Sequence, residues 1–210
     1  MTQPRILRVD PVSPDGAILK MAADILEKKG IVVAPTETKY GLLTRSDDMS
    51  AVERLFSLKN RPTSQPTAIF LRSRTEIGIF GYESDISKRL ADCFLPGPLT
   101  LVLKARPEYA GPIAVKGKIG LRISSSPLIA ALLNLRPFNL TATSANLSGE
   151  KEPRSVSEIA ARLGDEVNLY LDGGELSGSV STVVDCSGND YTVLRHGAIS
   201  ESRIKECLGE

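Results

Sequence analysis

The chain has 210 residues, of which 41% are hydrophobic and 24% charged, and its formal net charge is +1. This balance predicts a folded domain with one sizeable core and excludes an intrinsically disordered chain. A net charge this small excludes attraction of nucleic acid over the whole surface. No segment approaches the roughly 18 apolar residues of a membrane span, and none resembles a secretion signal. We therefore expect a single domain over residues 1–210, cytoplasmic and without a membrane contact.

The three cysteines, Cys93, Cys186 and Cys207, lie far apart in the sequence. They show neither the C-x-x-C pattern nor the Cys/His spacing of a zinc site. In a cytoplasmic protein, such residues are expected to be reduced. The sequence thus predicts partly buried free thiols and no structural zinc.

Helical and extended patterns alternate from the N-terminus onward. Residues 13–30 predict a capped amphipathic helix that Gly30 ends, and the strand IVVA follows at once. Ser50 to Glu53 has a capping-box pattern, which predicts a second helix that runs to about Leu58.

The same alternation continues to the C-terminal part of the chain. Strands are predicted at 67–72, 99–105, 119–123 and 139–143, and helices at 84–94, 127–134 and 155–163. NLYLD, STVVD and YTVLR predict three closing strands. Helices and strands interleave without a regular βαβ period. The predicted fold class is therefore α/β, with a mixed, twisted sheet and helices packed on its faces.

The segment PTETKYGL (35–42) follows the first buried strand and contains more hydrogen-bonding side chains than a turn requires. A turn needs Gly, Pro, Asn or Asp for backbone reasons, and only Pro35 and Gly41 meet that need. The two threonines, the carboxylate, the lysine and the tyrosine between them indicate a functional site.

Two cations, Lys59 and Arg61, follow the second helix in the segment LKNRPTSQP. Pro62 prevents a simple continuation of the helix, and extended residues at i and i+2 point the same way. We expect both to be exposed charges directed at one anionic group. The alternative is that they only cap the C-terminus of the helix.

The segment TATSANLSGE (141–150) is a second polar cluster directly after a predicted strand. Thr143, Ser144, Asn146 and Ser148 offer hydroxyl and amide groups for phosphate oxygens or the water shell of a metal. The alternative is an ordinary loop, in which Asn and Ser serve the turns.

The segments GSVSTVVD and LRHG supply a third cluster, with Ser181, Thr182, Arg195 and His196. A serine hydrolase is excluded, because no G-x-S-x-G elbow is present and His196 points away from Arg195 on a strand. His196, the only histidine, is interpreted as structural or surface-exposed.

These segments together resemble the threonylcarbamoyl-adenylate synthase family, whose domain is called YrdC-like. The resemblance rests on PTETKYGL, KNRP, LPGPLTLVL, IGLRI, TSANLSG, STVVD and LRHGAI, in that order over about residues 15–200. Its most specific part pairs K-x-R with S-x-N, here Lys59 and Arg61 with Ser144 and Asn146.

The resemblance implies an enzyme that forms threonylcarbamoyl-AMP and pyrophosphate from L-threonine, bicarbonate or CO₂, and ATP, with Mg²⁺. The product would serve the threonylcarbamoyl modification of adenosine 37 in tRNA, so tRNA or tRNA-modification proteins are expected partners. A nucleotidyl transfer of this kind depends on positioning and charge stabilisation rather than on a protein nucleophile.

The resemblance also implies a role for particular residues. The implied ATP ligands are Lys59, Arg61, Ser144, Asn146, Arg154 and Arg195, of which Lys59 and Arg61 would be catalytic. The implied threonine ligands are Thr38, Tyr40, Arg122, Ser124, Ser144 and Ser181, with Arg122 on the carboxylate and Tyr40 supplying packing. No metal ligand is assigned to a protein side chain.

The chain departs from the family pattern in three places, one of which is Gln65, where Asn is frequent. Phe70 lies on the strand where some members carry histidine, and SSSP follows Arg122 where many members have P-x-H-P. The chain ends at Glu210 and is expected to be the short, single-domain form. Two alternatives stay open: an RNA-binding module, and an inactive or divergent paralogue of the same fold.

Overall fold

Twelve strands form one continuous sheet in the computed structural model, which describes residues 4–62, 64–147 and 153–210. The strands are β1 (Ile6–Arg8), β2 (Val32–Pro35), β3 (Tyr40–Leu43), β4 (Ala68–Phe70), β5 (Gly81–Tyr82), β6 (Leu99–Ala105), β7 (Ala114–Val115), β8 (Lys118–Arg122), β9 (Leu140–Ser144), β10 (Leu169–Asp172), β11 (Thr182–Asp185) and β12 (Thr192–Arg195). The helices are α1 (Gly16–Glu27), α2 (Met49–Leu58), α3 (Ile77–Phe80), α4 (Asp85–Phe94), α5 (Pro127–Asn134), α6 (Val156–Leu163) and α7 (Glu201–Leu208).

Parallel and antiparallel pairs are combined within this sheet. From edge to edge the order is β1-β10-β2-β3-β9-β4-β8-β6-β11-β12, with β5 on β6 and β7 on β8. The β1–β10, β2–β10, β4–β8 and β6–β11 pairs are parallel, and the other pairs are antiparallel. The predicted mixed sheet is confirmed.

Two hydrophobic clusters cover the two faces of the sheet. Along β2, Val32 and Ala34 belong to the cluster with α1 and α5, whereas Val33 belongs to the cluster with α2, α4, α6 and α7. Successive side chains of a strand point to opposite faces, so this alternation buries both faces of β2. The helices thus pack on both faces, as the sequence predicts.

The helix starts differ in part from the predicted ones. Helix α2 is capped by Asp48, whose Oδ1 accepts from the Ala51 N–H at 3.0 Å, so the predicted cap at Ser50 is wrong. Asp48 lies two residues before Ser50, and its carboxylate already satisfies an orphan N–H of the helix. The predicted cap of α6 is confirmed, because Ser155 Oγ accepts from Glu158 N–H at 3.3 Å. None of the helices described has the length and apolar character that a membrane crossing requires.

Cys93 and Cys207 form a disulfide that joins α4 to α7, so the prediction of three free thiols is wrong. The prediction failed because 114 residues separate the partners, which meet only when the two helices pack together. Cys186 is free and buried, and burial raises the pKa of its thiol to about 12.

We expect removal of this disulfide to destabilise the protein. Closing a loop of this length restricts the unfolded chain, so the Cys93→Ser/Cys207→Ser double variant should lose about 2–4 kcal/mol of unfolding free energy. Urea denaturation with and without a reductant measures the loss. The reductant should lower the stability of the wild type and leave the double variant unchanged; equal stability of both proteins would show that the bond contributes nothing.

Candidate active site

A cavity of about 580 Å³ opens on the sheet where the polar segments of the sequence meet. Its wall comes from the β2–β3 turn, from β4, β6, β8 and β9, and from β11 and β12. The predicted site residues that line it are Thr38, Tyr40, Arg61, Arg122, Ser144, Ser181 and Arg195. The sheet order explains this, because β3, β9, β4, β8, β6, β11 and β12 are successive neighbours.

Arg61 and Arg195 place two positive charges on the cavity wall. Arg61 donates from Nε to Gln65 O at 2.9 Å and from Nη2 to Pro66 O at 2.7 Å, so the loop after α2 fixes its guanidinium. Burial and the neighbouring charge of Arg195 lower the pKa of Arg61. Two cations that repel each other in one cavity are stabilised by an anion placed between them.

Arg195 is fixed by Ser181, the last residue of the loop that precedes β11. Its Nε donates to Ser181 O at 3.1 Å and its Nη2 donates to Ser181 Oγ at 2.8 Å. Gly197 permits this approach, because a Cβ there would lie 2.3 Å from Val180 O. A side chain at position 197 would therefore push Arg195 and Ser181 apart.

Lys59 is buried, with 2% of its surface exposed, so the prediction of an exposed charge is wrong for this residue. Its Nζ donates to Ser144 O, and to Asn146 Oδ1 at 3.4 Å. Ser144 Oγ in turn donates to Asn146 Oδ1. The ammonium thus joins the end of α2 to the end of β9 rather than capping α2, and Ser144 connects this network to the cavity.

We expect Lys59→Ala to lower the unfolding free energy by about 1–3 kcal/mol, since the partly buried Ser144 carbonyl and the buried Asn146 Oδ1 lose this donor. Thermal or urea unfolding measures the change. Lys28→Ala, at the exposed end of α1, is the control and should change stability by less than about 0.5 kcal/mol. An unchanged stability for Lys59→Ala would contradict the bonding described for its ammonium.

Another part of the cavity wall is built around Arg122, which is 7% exposed. Its Nη2 donates to Glu37 Oε1 at 2.8 Å and to Thr38 Oγ1 at 3.0 Å, while Nε is buried with no hydrogen-bond partner. A buried donor without a partner is unfavourable and indicates a missing acceptor. Ser124 lies beside this group and donates from Oγ to Glu37 Oε2.

A chain of hydroxyl groups fixes Thr38. Thr36 Oγ1 donates to Lys39 O at 2.7 Å, so the Thr38 hydroxyl is the donor in its 3.0 Å bond to Thr36 Oγ1. Thr38 Oγ1 also accepts from Arg122. A hydroxyl has one proton and two lone pairs, so Thr38 keeps one acceptor position for a further donor.

Tyr40 lines the cavity, but its hydroxyl points towards the loop 173–181. The hydroxyl donates to Gly174 O at 2.6 Å and accepts from Gly173 N–H at 3.0 Å. Burial raises the pKa of Tyr40 to about 12, although the bond from Gly173 opposes the rise. Tyr40 therefore stays neutral and ties this loop, which ends at Ser181, to β3.

Four of the predicted site residues do not line the cavity: Lys59, Ser124, Asn146 and Arg154. Arg154 is exposed, and its backbone N–H donates to Glu158 Oε2 at 3.1 Å. His196 is exposed too, which agrees with its interpretation as a surface residue. Ser148 lies outside the described residues.

Several cavity residues were missed in the sequence. They are Thr100, Lys116, Lys118 and Asp185. Thr100 Oγ1 lies 3.0 Å from Ser181 Oγ, and its only signal is a hydroxyl within the apolar strand LTLVLKA. Lys118 on β8 donates to Asp185 on β11 at 2.7 Å, across the intervening strand β6. The spacing of these residues in the sequence does not reveal the contact.

The chain belongs to the Sua5/YciO/YrdC family, whose model carries the description telomere recombination and matches residues 24–197. A putative threonylcarbamoyl-AMP synthase of Methanocaldococcus jannaschii is 35% identical over 88% of this chain and 87% of the relative. Threonylcarbamoyl-AMP synthase of Bacillus subtilis is 30% identical over 95% of this chain, which spans 59% of that relative.

Solved structures show the same fold. The crystal structure of Pyrococcus abyssi Sua5 complexed with L-threonine has a TM-score of 0.91 and 30% identity, covering 98% of this chain and 61% of that one. The crystal structure of Escherichia coli YciO has a TM-score of 0.88 and 26% identity, covering 96% and 99%. The predicted YrdC-like fold is confirmed.

Proposed function

We propose that the protein is a threonylcarbamoyl-AMP synthase that joins L-threonine, CO₂ or bicarbonate, and ATP. The observation that carries the proposal is one cavity lined by two neighbouring cations and by a buried arginine whose Nε lacks an acceptor. The cations fit a polyphosphate, and the arginine fits the carboxylate of an amino acid. Relatives that carry the name threonylcarbamoyl-AMP synthase support it.

The polyphosphate of ATP would lie between Arg61 and Arg195. Both side chains are held by carbonyl or hydroxyl oxygens, so they are oriented before the ligand binds and cost little reorganisation. The buried Lys59 would act with Ser144 and Asn146, whose network borders this part of the cavity.

The amino acid would lie beside Arg122. Its carboxylate would accept from the Nε–H of Arg122, and its side-chain hydroxyl would donate to the remaining lone pair of Thr38. The solved Pyrococcus abyssi relative is described as complexed with L-threonine, which supports this choice of amino acid.

The reaction balances without a protein nucleophile. The threonine amine adds to CO₂ and loses a proton to form a carbamate, one carbamate oxygen attacks the α-phosphorus of ATP, and pyrophosphate leaves with the electron pair of the broken P–O bond. Arg61 and Arg195 would stabilise the charge on the transferring and departing phosphates. The cavity would hold the two reactants in contact, which lowers the entropic part of the barrier.

Mg²⁺ fits this cavity as part of the nucleotide complex. No group of three or more His, Cys, Asp or Glu that could hold a metal occurs in the part of the chain that the structure describes. Mg²⁺ is commonly held by substrate phosphates and water with few protein ligands. The ion would neutralise phosphate charge, while the hydroxyl and amide groups of Ser144 and Asn146 could contact its water shell.

The product would donate its threonylcarbamoyl group to adenosine in tRNA, as the family resemblance implies. A transferase for this step, or tRNA itself, would therefore be a partner of the protein. The synthesis is tested by pyrophosphate release with ATP, threonine and bicarbonate present together. Omission of any one should abolish release; release that is independent of threonine would contradict the proposal.

A further inference from the structure

Glu37 is a partly buried carboxylate bonded to Arg122, and the roles proposed above do not use it. Its side chain is 15% exposed. Oε1 accepts from Arg122 Nη2 at 2.8 Å, and Oε2 accepts from Ser124 Oγ. Both oxygens thus bond to residues of β8 or of the segment directly after it.

The β2–β3 turn fixes where the Glu37 carboxylate lies. Thr36 Oγ1 accepts from the N–H groups of Thr38 and Lys39 at 3.1 and 3.2 Å, which closes the turn around Glu37. Gly178 packs directly on the turn, because a Cβ there would lie 2.7 Å from Thr38 O and 3.4 Å from Glu37 O. The backbone that carries Glu37 is therefore constrained from two sides.

The charge of Glu37 complements that of Arg122. Burial alone would raise the pKa of Glu37, but the Arg122 charge and the hydrogen bonds from Ser124 and Arg122 outweigh it and lower the pKa. Glu37 is therefore an anion at neutral pH. A charge-assisted bond of this kind is stronger and more directional than a neutral one.

This carboxylate restricts the Arg122 guanidinium without using all its donors. Nη2 is occupied by Glu37 and Thr38, and Cζ lies over the Phe70 ring, 5.5 Å from its centroid. Nε keeps its hydrogen without a partner. A guanidinium held at Nη2 and supported by a ring presents its Nε–H in a fixed direction.

We propose that Glu37 is a positioning residue for amino-acid binding: it orients Arg122 so that its unpartnered Nε–H is donated to the carboxylate of the bound amino acid. The inference rests on the proposed function, because it takes an α-amino acid as the ligand of Arg122. In a competing interpretation, Glu37 takes the place of the ligand by accepting the hydrogen bonds that Arg122 would otherwise donate to it. The two interpretations predict changes of opposite sign when the charge of Glu37 is removed.

The test is calorimetric binding of L-threonine to the wild type and to Glu37→Gln, without ATP. Glu37→Gln keeps the size of the side chain and loses the charge, so we expect at least about a tenfold weaker affinity. Glu76→Gln is the matched control, because Glu76 bonds Arg72 at 2.9 Å and its side chain is 18% exposed. That pair lies away from the cavity, and its loss should leave threonine affinity unchanged.

A double-variant cycle with Arg122→Lys shows whether Glu37 acts through Arg122. If it does, Glu37→Gln weakens threonine binding much less in the Arg122→Lys background than in the wild type. In turnover assays Glu37→Gln should raise KM for threonine and leave KM for ATP nearly unchanged. Glu37→Asp, which keeps the charge, should restore part of the affinity, and this variant replaces Glu37→Gln if the latter fails to fold.

The outcomes separate the inference from the function on which it rests. Wild type that binds no threonine, at any ATP concentration, contradicts the proposed function itself. Wild type that binds threonine while Glu37→Gln binds equally well overturns the role of Glu37 alone. Tighter binding by Glu37→Gln also overturns it and favours the competing interpretation, in which the carboxylate blocks Arg122.

Discussion

Arg61→Ala is expected to reduce turnover by at least about a hundredfold, as when a preorganised donor to a developing negative charge is removed. The fold should survive, because the carbonyl partners of Arg61, Gln65 O and Pro66 O, belong to exposed residues that water can satisfy. We expect a loss of stability of less than about 1 kcal/mol. Pyrophosphate release at saturating substrates, together with urea unfolding, measures both effects.

Two further variants make this result specific. Arg61→Lys keeps a charge and loses the planar group, so its activity should lie between the wild type and Arg61→Ala. Arg54→Ala removes an exposed arginine from α2, whose Nη2 donates only to Lys29 O, and should turn over normally. Normal turnover by Arg61→Ala would show that Arg61 has no part in the reaction.

The second large effect concerns the amino acid. Valine is expected to react with a kcat/KM at least about a hundredfold below that of threonine, since its methyl group leaves the free acceptor of Thr38 unpaired. Serine keeps the hydroxyl and loses only a methyl group, so it should be the best substitute, at about a tenfold loss. Pyrophosphate release with each amino acid at saturating ATP measures the ratios.

Thr38→Val supplies the control for this specificity. This substitution removes the acceptor at nearly constant side-chain volume. The ratio of kcat/KM for threonine to kcat/KM for valine should therefore fall sharply. If the wild type and Thr38→Val discriminate equally between threonine and valine, Thr38 does not contact the hydroxyl of the substrate. Equal rates with valine and threonine in the wild type would contradict the hydroxyl-binding pocket as a whole.

Strong periodic patterns predicted much of the fold. LTLVLKA and PLIAALLN appear as β6 and α5 with the predicted bounds, because a long apolar strand and a proline-started helix carry their signals locally. Helix α7 was missed. Its sequence ESRIKECL is mostly polar, and only Ile204 and Leu208 are buried, so its packing on α4 and the disulfide hold it in place. Such tertiary support leaves little trace in the local sequence.

The site was predictable to the extent that its residues lie in recognisable segments. Arg61 and Arg195 are 134 positions apart, yet the resemblance assigned both to one ligand, and the structure places both on one cavity. Burial of Lys59 was not predictable, because the carbonyl that binds its ammonium belongs to β9. Glu37 was missed as a partner of Arg122 for the same reason: its contacts cross the sheet.

The most direct test of the proposed synthase is mass spectrometry of the nucleotide product after incubation with ATP, L-threonine and isotopically labelled bicarbonate. The proposed function predicts threonylcarbamoyl-AMP that carries the label, in the wild type and not in Arg61→Ala. An RNA-binding module or an inactive paralogue would leave ATP unchanged. A folded, threonine-binding wild type that forms no labelled product under these conditions would contradict the assignment of this cavity as a synthase active site.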